Sequence, residues 1–432
     1  MTEPHRHTSS TTPKSPESPG ASEDFRRDQS LPGAGTSAAP GKRRLVGIDA
    51  ARGVALLGLA SIHILPAWDP STFQPTAQWT VFAGRSAALF ALLAGVSLAF
   101  SSGGRSPHTG KAMAATRAGV AVRAVLITVI GLSINTVALG ALGQVVPAVN
   151  ILVYYGAFFL LAIPFLAFSP PVLFVIAGVS AVITPVLMQL ARDAAPAATA
   201  VNPGFGDLVA QPGTSLVQLL LTGTYPALPY LTYLLVGLAL GRLDLADVQV
   251  QVLLVVFGVI LAVAAWVTYW VLILQAGGYD QLMAHSPALS EDQIDEVIVF
   301  GPDPALPTTT WWWLAIPGPH TNTPLALLHG LGASMAVLGG FLLLARRLQG
   351  WLLPLSAMGS MTLTLYTTHL LALSTEVHYD QPYLWFVLHL LIAAAFALVW
   401  QRFLGQGPLE RLIARAVSAT RRRVLATQHR TP

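Results

Sequence analysis

The stretch LVGIDAARGVALLGLASIHIL, residues 45–65, has the length and apolar character of a segment that crosses a bilayer, yet it carries Asp49, Arg52 and His63. Arg52 and His63 are eleven residues apart. At about 3.6 residues per turn they share one helix face, roughly 16 Å apart along the axis, with Asp49 one turn below Arg52. Ionisable groups inside a bilayer are costly and mark function by default. Three on one helix predict a polar track running through the membrane.

The rest of the chain agrees with a membrane setting. Of 432 residues 53% are hydrophobic and only 10% charged, with a mean hydropathy of +0.60, whereas soluble domains carry about 25% charged residues. There are no cysteines, which excludes disulfides, thiolate catalysis and Cys-based metal sites. Residues 1–43 are rich in Ser, Thr, Pro and Gly without an apolar run, so they read as a disordered tail rather than a signal peptide.

Ten apolar windows follow, near 44–66, 78–101, 115–139, 148–168, 171–191, 222–241, 249–274, 324–345, 351–375 and 382–403. The expected architecture is therefore all-α and polytopic, with a membrane domain over 44–403. Ten alternating spans put Lys42, Arg43, Arg44, Arg105, Lys111, Arg242, Arg346, Arg347 and the basic 404–432 tail on one side. The opposite loops hold almost no Lys or Arg beyond Arg192. By the positive-inside rule both termini are cytoplasmic. The 404–428 stretch, basic and partly amphipathic, is expected to lie along the inner membrane surface as a topology anchor. The 276–323 loop falls outside. It is acidic, and its length fits a lid or acceptor-binding element as well as a solvated insert. Its Trp311, Trp312 and Trp313 belong most simply to the interfacial aromatic belt, although they could stack on a sugar.

Orientation gives each polar residue a depth. His63, Arg85, Asn150, Tyr154, Tyr155, Tyr225, Tyr230, Tyr233, His329 and His369 fall towards the outside, where the tyrosines fit an aromatic belt and Asn150 a helix N-cap. Asp49, Arg52, Arg117 and Arg123 fall towards the cytoplasm. Several guanidinium groups at the inner mouth suit a phosphorylated co-substrate. A histidine suits general-base work, and Arg85 could stabilise an oxyanion or orient a carbonyl. An anionic donor inside and a base outside, joined by helix 1, describe transmembrane acyl transfer. No metal-ligand spacing, carboxylate pair or phosphate-binding Gly loop competes with this, and no nucleic-acid partner is indicated.

These residues also carry a resemblance. Gly47-Ile48-Asp49-Ala50-Ala51-Arg52-Gly53 followed by His63 resembles the opening of acyltransferase-3-type membrane acyltransferases. Arg85 to Gly95 is similar to that family's second helix. Asn150-Ile151-Leu152-Val153-Tyr154-Tyr155-Gly156 resembles the fourth helix of bacterial relatives of heparan-alpha-glucosaminide N-acetyltransferase. The stretch from Gly359 through Tyr366 to His369 and Leu370 resembles their C-terminal half, long labelled a domain of unknown function. The resemblance covers about 44–403 and implies a plasma-membrane acyltransferase. Its co-substrate would be a cytoplasmic acyl-CoA, most often acetyl-CoA, and its acceptor a hydroxyl or amine of an outer glycan or glycolipid among the membrane lipids.

Carried over by motif, His63 is the base or acyl carrier, with Arg52 and Arg85 beside it and Asp49 holding helix 1. Arg52, Arg117 and Arg123 would meet the donor's polar end. Asn150, Tyr155, His329, Tyr366 and His369 stand as substrate-side candidates. Those relatives carry a catalytic His just upstream of the second helix, near a Trp. Here Thr76, Ala77 and Gln78 precede Trp79, so the assignment moves to His63. A transporter or lipid flippase is the rival reading, since it too needs an intramembrane polar track. Acceptor, acyl chain and homo-oligomerisation stay open.

Overall fold

Glycine and proline cut the apolar sequence into helices, and small residues set how closely they pack. The computed structural model describes residues 45–195, 201–303 and 305–426. The tail at 1–43, expected to be disordered, lies outside them, as do residues 427–432. In chain order the first helices are α1 (Val46–Ile64), α2 (Ala77–Phe82), α3 (Arg85–Ser101), α4 (Gly110–Leu142), α5 (Ile151–Ala162) and α6 (Pro170–Ala194). Next come α7 (Phe205–Ala210), α8 (Pro212–Val217), α9 (Ala227–Leu240) and α10 (Val248–Tyr269). The remainder are α11 (Gly278–His285), α12 (Glu291–Phe300), α13 (Pro324–Leu344), α14 (Leu353–Gly359), α15 (Thr362–Leu373), α16 (Pro382–Leu404) and α17 (Pro408–Ala426).

Among the described residues seven helices are long and apolar enough to cross a membrane, or eight if the segments 212–222 and 227–240, bent by 49°, form one span. The window at 148–168 is a shorter apolar helix, Ile151–Ala167. The window at 351–375 folds as two short helices, α14 and α15, because Ser360 and Met361 interrupt it.

Packing is closest where glycines let backbones touch, the usual device when water-driven association is absent. α10 meets α13 through Gly258 and Gly332, each of which faces the other helix's backbone, and α3 meets α9 through Gly95 and Gly237. α1 leans on α14 in the same way. A Cβ at Gly53 would collide with the Leu355 carbonyl, and one at Gly359 with the Asp49 carbonyl. The polar start of α1 is thus fixed by backbone against backbone. Gly359→Leu is expected to cost about 1–3 kcal/mol or more, since neither side can yield. Gly340→Leu adds its side chain into open space and serves as the control. Thermal melting of the detergent-extracted protein reads both. Equal melting of Gly359→Leu and the unaltered protein would show that the close approach is not needed.

The basic loops meet at one end of the bundle. Arg105 pairs with Asp244 at 3.1 Å, Arg242 donates to the carbonyls of Gly104 and Leu166, and Arg346 donates to the Ala246 carbonyl. The C-terminal stretch expected at the membrane surface folds as the helix α17. α17 packs along α4, with Val417 and Arg421 against Gly119, and Glu410 accepts from Thr364 N at 3.0 Å and Thr364 Oγ1 at 2.6 Å.

At the other end, residues 276–323 are not a bare insert. They fold around their own core of Ile273, Leu282, Ile294, Leu306, Trp313 and Ile316. Trp313 is fully buried and its indole N–H reaches the hydroxyls of Ser286 and Thr309, so it is unavailable for a sugar, while Trp311 stays exposed. Trp79 donates to the Val299 carbonyl and touches Phe300, which docks this cap onto the α1–α2 connection.

Candidate active site

Arg52 occupies the second turn of α1, where Asp49 precedes it by three residues and α3 crosses close by. Its Nη1 lies 2.7 Å from Asp49 Oδ1 and its Nη2 donates to Ser97 Oγ at 2.5 Å. Asp49 is buried, so the pair relieves what would be a costly lone carboxylate. Arg123 of α4 faces the same space, its guanidinium 4.9 Å from the Phe159 ring centre. Its Nε is buried and has no hydrogen-bond partner among the described residues. Together with Tyr155, Ser360, Tyr366 and Glu410 these arginines line a cavity of about 320 Å³. A neighbouring cavity of about 370 Å³ shares Arg123, Thr362 and Glu410 with it and reaches Ser418 and Arg421 on α17.

The upper wall of the first cavity includes Leu59 and Tyr366, each one helical turn before a histidine. Those histidines meet. His63 Nδ1 lies 3.0 Å from His369 Nε2, and His369 Nδ1 lies 3.0 Å from His389 Nε2 on α16. The sequence reading missed His389, although a His within the apolar 382–403 window was a visible signal. Leu365, Trp385, Leu388 and Phe396 line an apolar cavity of about 410 Å³ beside His369 and His389.

Arg85 stands apart from this chain of histidines, at the N-terminus of α3. It donates to the Thr80 carbonyl at 2.5 Å and shares a pocket of about 30 Å³ with Tyr233, His320, Asn322 and His329. Tyr225, Tyr230 and Tyr233 are not an interfacial belt. They are buried and stack edge to face, with centroids 5.8 Å and 5.2 Å apart along the series.

Two candidates do not line the Arg52–Arg123 cavity. Every group of the Asn150 amide is used within the fold. Its oxygen caps α5 through Leu152 N, and its nitrogen donates to Gly131 O at 3.0 Å and Asn135 Oδ1 at 2.9 Å. Arg117 is exposed and faces an open groove with His108 and Met113, away from the Arg52–Arg123 cavity. His369 lines the apolar cavity of about 410 Å³ and hydrogen-bonds to both His63 and His389. Tyr366 and Tyr155 do line the Arg52–Arg123 cavity, although the Tyr366 hydroxyl also accepts from Ile151 N.

This constellation is framed by the first seven apolar windows and completed by the last three. A family model described as heparan-alpha-glucosaminide N-acetyltransferase, catalytic, matches residues 44–274, more than half of the chain. No curated protein and no solved structure matches. The match includes Asp49, Arg52, His63, Arg85 and Arg123, and ends before His320, His329, His369 and His389. The chain belongs to the membrane acetyltransferase family of the heparan-alpha-glucosaminide N-acetyltransferase catalytic domain.

Proposed function

We propose that this protein transfers an acyl group, acetyl in the first instance, from cytoplasmic acyl-CoA to a hydroxyl or amine of a glycan or glycolipid on the outer face of the plasma membrane. The observation that carries the reading is the cavity from Arg52 and Arg123 to Tyr366, which stops one turn short of the His63–His369–His389 chain. Arginines suit the donor's phosphates, and the wall towards Leu59 and Tyr366 would take its thioester arm. The basic end of the bundle is the cytoplasmic one, by the positive-inside rule.

His63 acts at the thioester as base or acyl carrier through Nε2, since its Nδ1 is engaged by His369. Asp49 holds Arg52, and Arg85 orients the acyl carbonyl or the acceptor. One observation favours the transporter reading. The apolar windows are broken at Gly84, at 223–226 and at Ser360–Met361, and discontinuous helices are common at transport sites.

The two readings part in one experiment. Purified protein in nanodiscs receives acetyl-CoA labelled in the acetyl group, with glucosamine and extracted envelope lipid as acceptors. Label on an acceptor or on the protein, with stoichiometric release of coenzyme A, is expected. Absence of label together with absence of coenzyme A binding would leave the transporter reading in possession.

A further inference from the structure

His320 lies beyond the family match, and neither composition nor spacing singled it out. Residues 317–324 read Pro-Gly-Pro-His-Thr-Asn-Thr-Pro, which looks like a plain turn. The backbone is not plain. His320 (φ 59°) and Asn322 (φ 56°) both adopt the left-handed conformation, which a non-glycine residue keeps only when its surroundings over-determine it.

The surroundings do so here. Thr321 Oγ1 donates to Gly318 O at 2.7 Å and Thr323 Oγ1 to Ile316 O at 2.5 Å. The Asn322 amide donates to Thr224 O at 3.1 Å and His320 O at 2.9 Å. Pro319 sits on Gly84, itself left-handed (φ 71°), where a Cβ would come within 3.2 Å of Pro319 Cα. The loop is thereby driven into the break between α2 and α3, beside Arg85.

What it delivers there is a ring with an unused nitrogen. The imidazole is partly buried, and its Nδ1 is buried without a hydrogen-bond partner among the described residues. Buried polar atoms are nearly always satisfied, so such an atom calls for a ligand or a chemical role. His320 lines the pocket of about 30 Å³ shared with Arg85, Tyr233 and His329, room for one water or one heteroatom of a substrate. The ring stands edge-on to Tyr225, with centroids 5.3 Å apart, and is within electrostatic reach of His63. A histidine serving only to pack would need neither the strained backbone nor the open nitrogen.

We infer that His320 is the acceptor-side base: its Nδ1 takes the proton of the hydroxyl or amine that attacks the acyl carbon, in the pocket it shares with Arg85. The inference rests on the acyl-transfer reading and divides the labour within it. The acceptor heteroatom forms a bond to the acyl carbon and loses its proton to His320. The bond from the acyl carbon to its carrier, carbon–sulfur in the thioester or carbon–nitrogen in an acyl-His63, breaks with its electron pair on the leaving sulfur or nitrogen. His320 then returns the proton to the leaving group or to water. Burial pushes the His320 pKa down to about 4, so the ring is uncharged at neutral pH and able to accept.

The test compares two nucleophiles on the full-length protein. Glucosamine is largely protonated at neutral pH and depends on a base, whereas hydroxylamine is uncharged and strongly nucleophilic there, attacks unaided and gives up its proton to water afterwards. His320→Gln is expected to lower acetyl transfer to glucosamine at least ~100-fold while transfer to hydroxylamine, above the protein-free rate, and the KM for acetyl-CoA stay within about threefold. His320→Ala should behave alike and recover with added imidazole. Equal losses for both nucleophiles without imidazole rescue, or full activity of His320→Gln, would overturn the assignment while leaving acyl transfer standing. Failure of the unaltered protein to acetylate either nucleophile would overturn acyl transfer itself and this role with it.

Discussion

Replacing His63 with alanine is expected to lower acyl transfer by about 10³-fold or more, the loss associated with removing a nucleophile or the principal base. The histidine chain makes the expectation sharper than the size of a single loss. Each of its two hydrogen bonds needs one proton, and neutral rings can supply them in two ways. If His63 donates from Nδ1, His369 donates onward to His389, and His63 Nε2 is left as a free lone pair. If His389 donates first, the order reverses and His63 Nε2 carries a proton. Uptake of a proton at His63 Nε2, a concerted shift along both hydrogen bonds and loss of the His389 Nδ1 proton to solvent therefore convert His63 from base to acid with every ring left neutral. Partners that fix a reactive imidazole's tautomer are worth about 10–100-fold in comparable arrangements.

The variants should therefore grade along the chain. His63→Ala loses most, His369→Gln falls by about 10–100-fold, and His389→Gln falls less, because it touches His63 only through His369. Single-turnover rates with acetyl-CoA, measured on variants that melt with the unaltered protein, decide this. An active His63→Ala would sink the assignment of His63. A His389→Gln variant as damaged as His63→Ala would move the reacting group to His389.

Helix 1 and most of its partners were legible in the sequence because membrane helices announce themselves by length and every ionisable residue on them stands out. The Arg52–His63 spacing, Asp49 and Arg123 all lie at the cavity or the histidine chain. What stayed hidden depends on tertiary contact. Asn150 offers the same amide to a substrate or to Gly131 and Asn135, and only the packing of α4 against α5 decides between them. Arg117 and Arg123 are six residues apart on one helix. At about 100° per residue that spacing turns them well away from each other, which the count of basic residues did not weigh. Trp313 reads as interfacial until the fold of 276–323 buries it. His320 was masked by the turn chemistry around it, and Glu410 by the basic tail in which it sits.

The basic end supplies the second large effect. Arg123→Met is expected to raise the KM for acetyl-CoA by about 10–100-fold, with kcat little changed, as loss of a charge-assisted hydrogen bond worth ~1.5–3 kcal/mol would require. The reasoning begins with its surroundings. Arg52 is already engaged by Asp49 and Ser97, whereas Arg123 rests on the Phe159 ring with its Nε buried and unpartnered among the described residues. It lines both adjoining cavities, so a donor extending from α17 towards Tyr366 must pass it. Glu410 lines both cavities as well, is held by Thr364 through both carboxylate oxygens, and attracts Arg123 electrostatically without hydrogen-bonding to its Nε. Arg123→Lys keeps the charge but loses the planar fork, and should recover only part of the affinity. Arg117→Met, altered on the exposed groove, should leave KM as it is. Added salt should weaken acetyl-CoA binding by the unaltered protein more than by Arg123→Met. Should Arg123→Met bind acetyl-CoA as the unaltered protein does, or should Arg117→Met lose as much, the donor's phosphates sit elsewhere. The path from α17 to His63 would then be a packing defect rather than a donor channel.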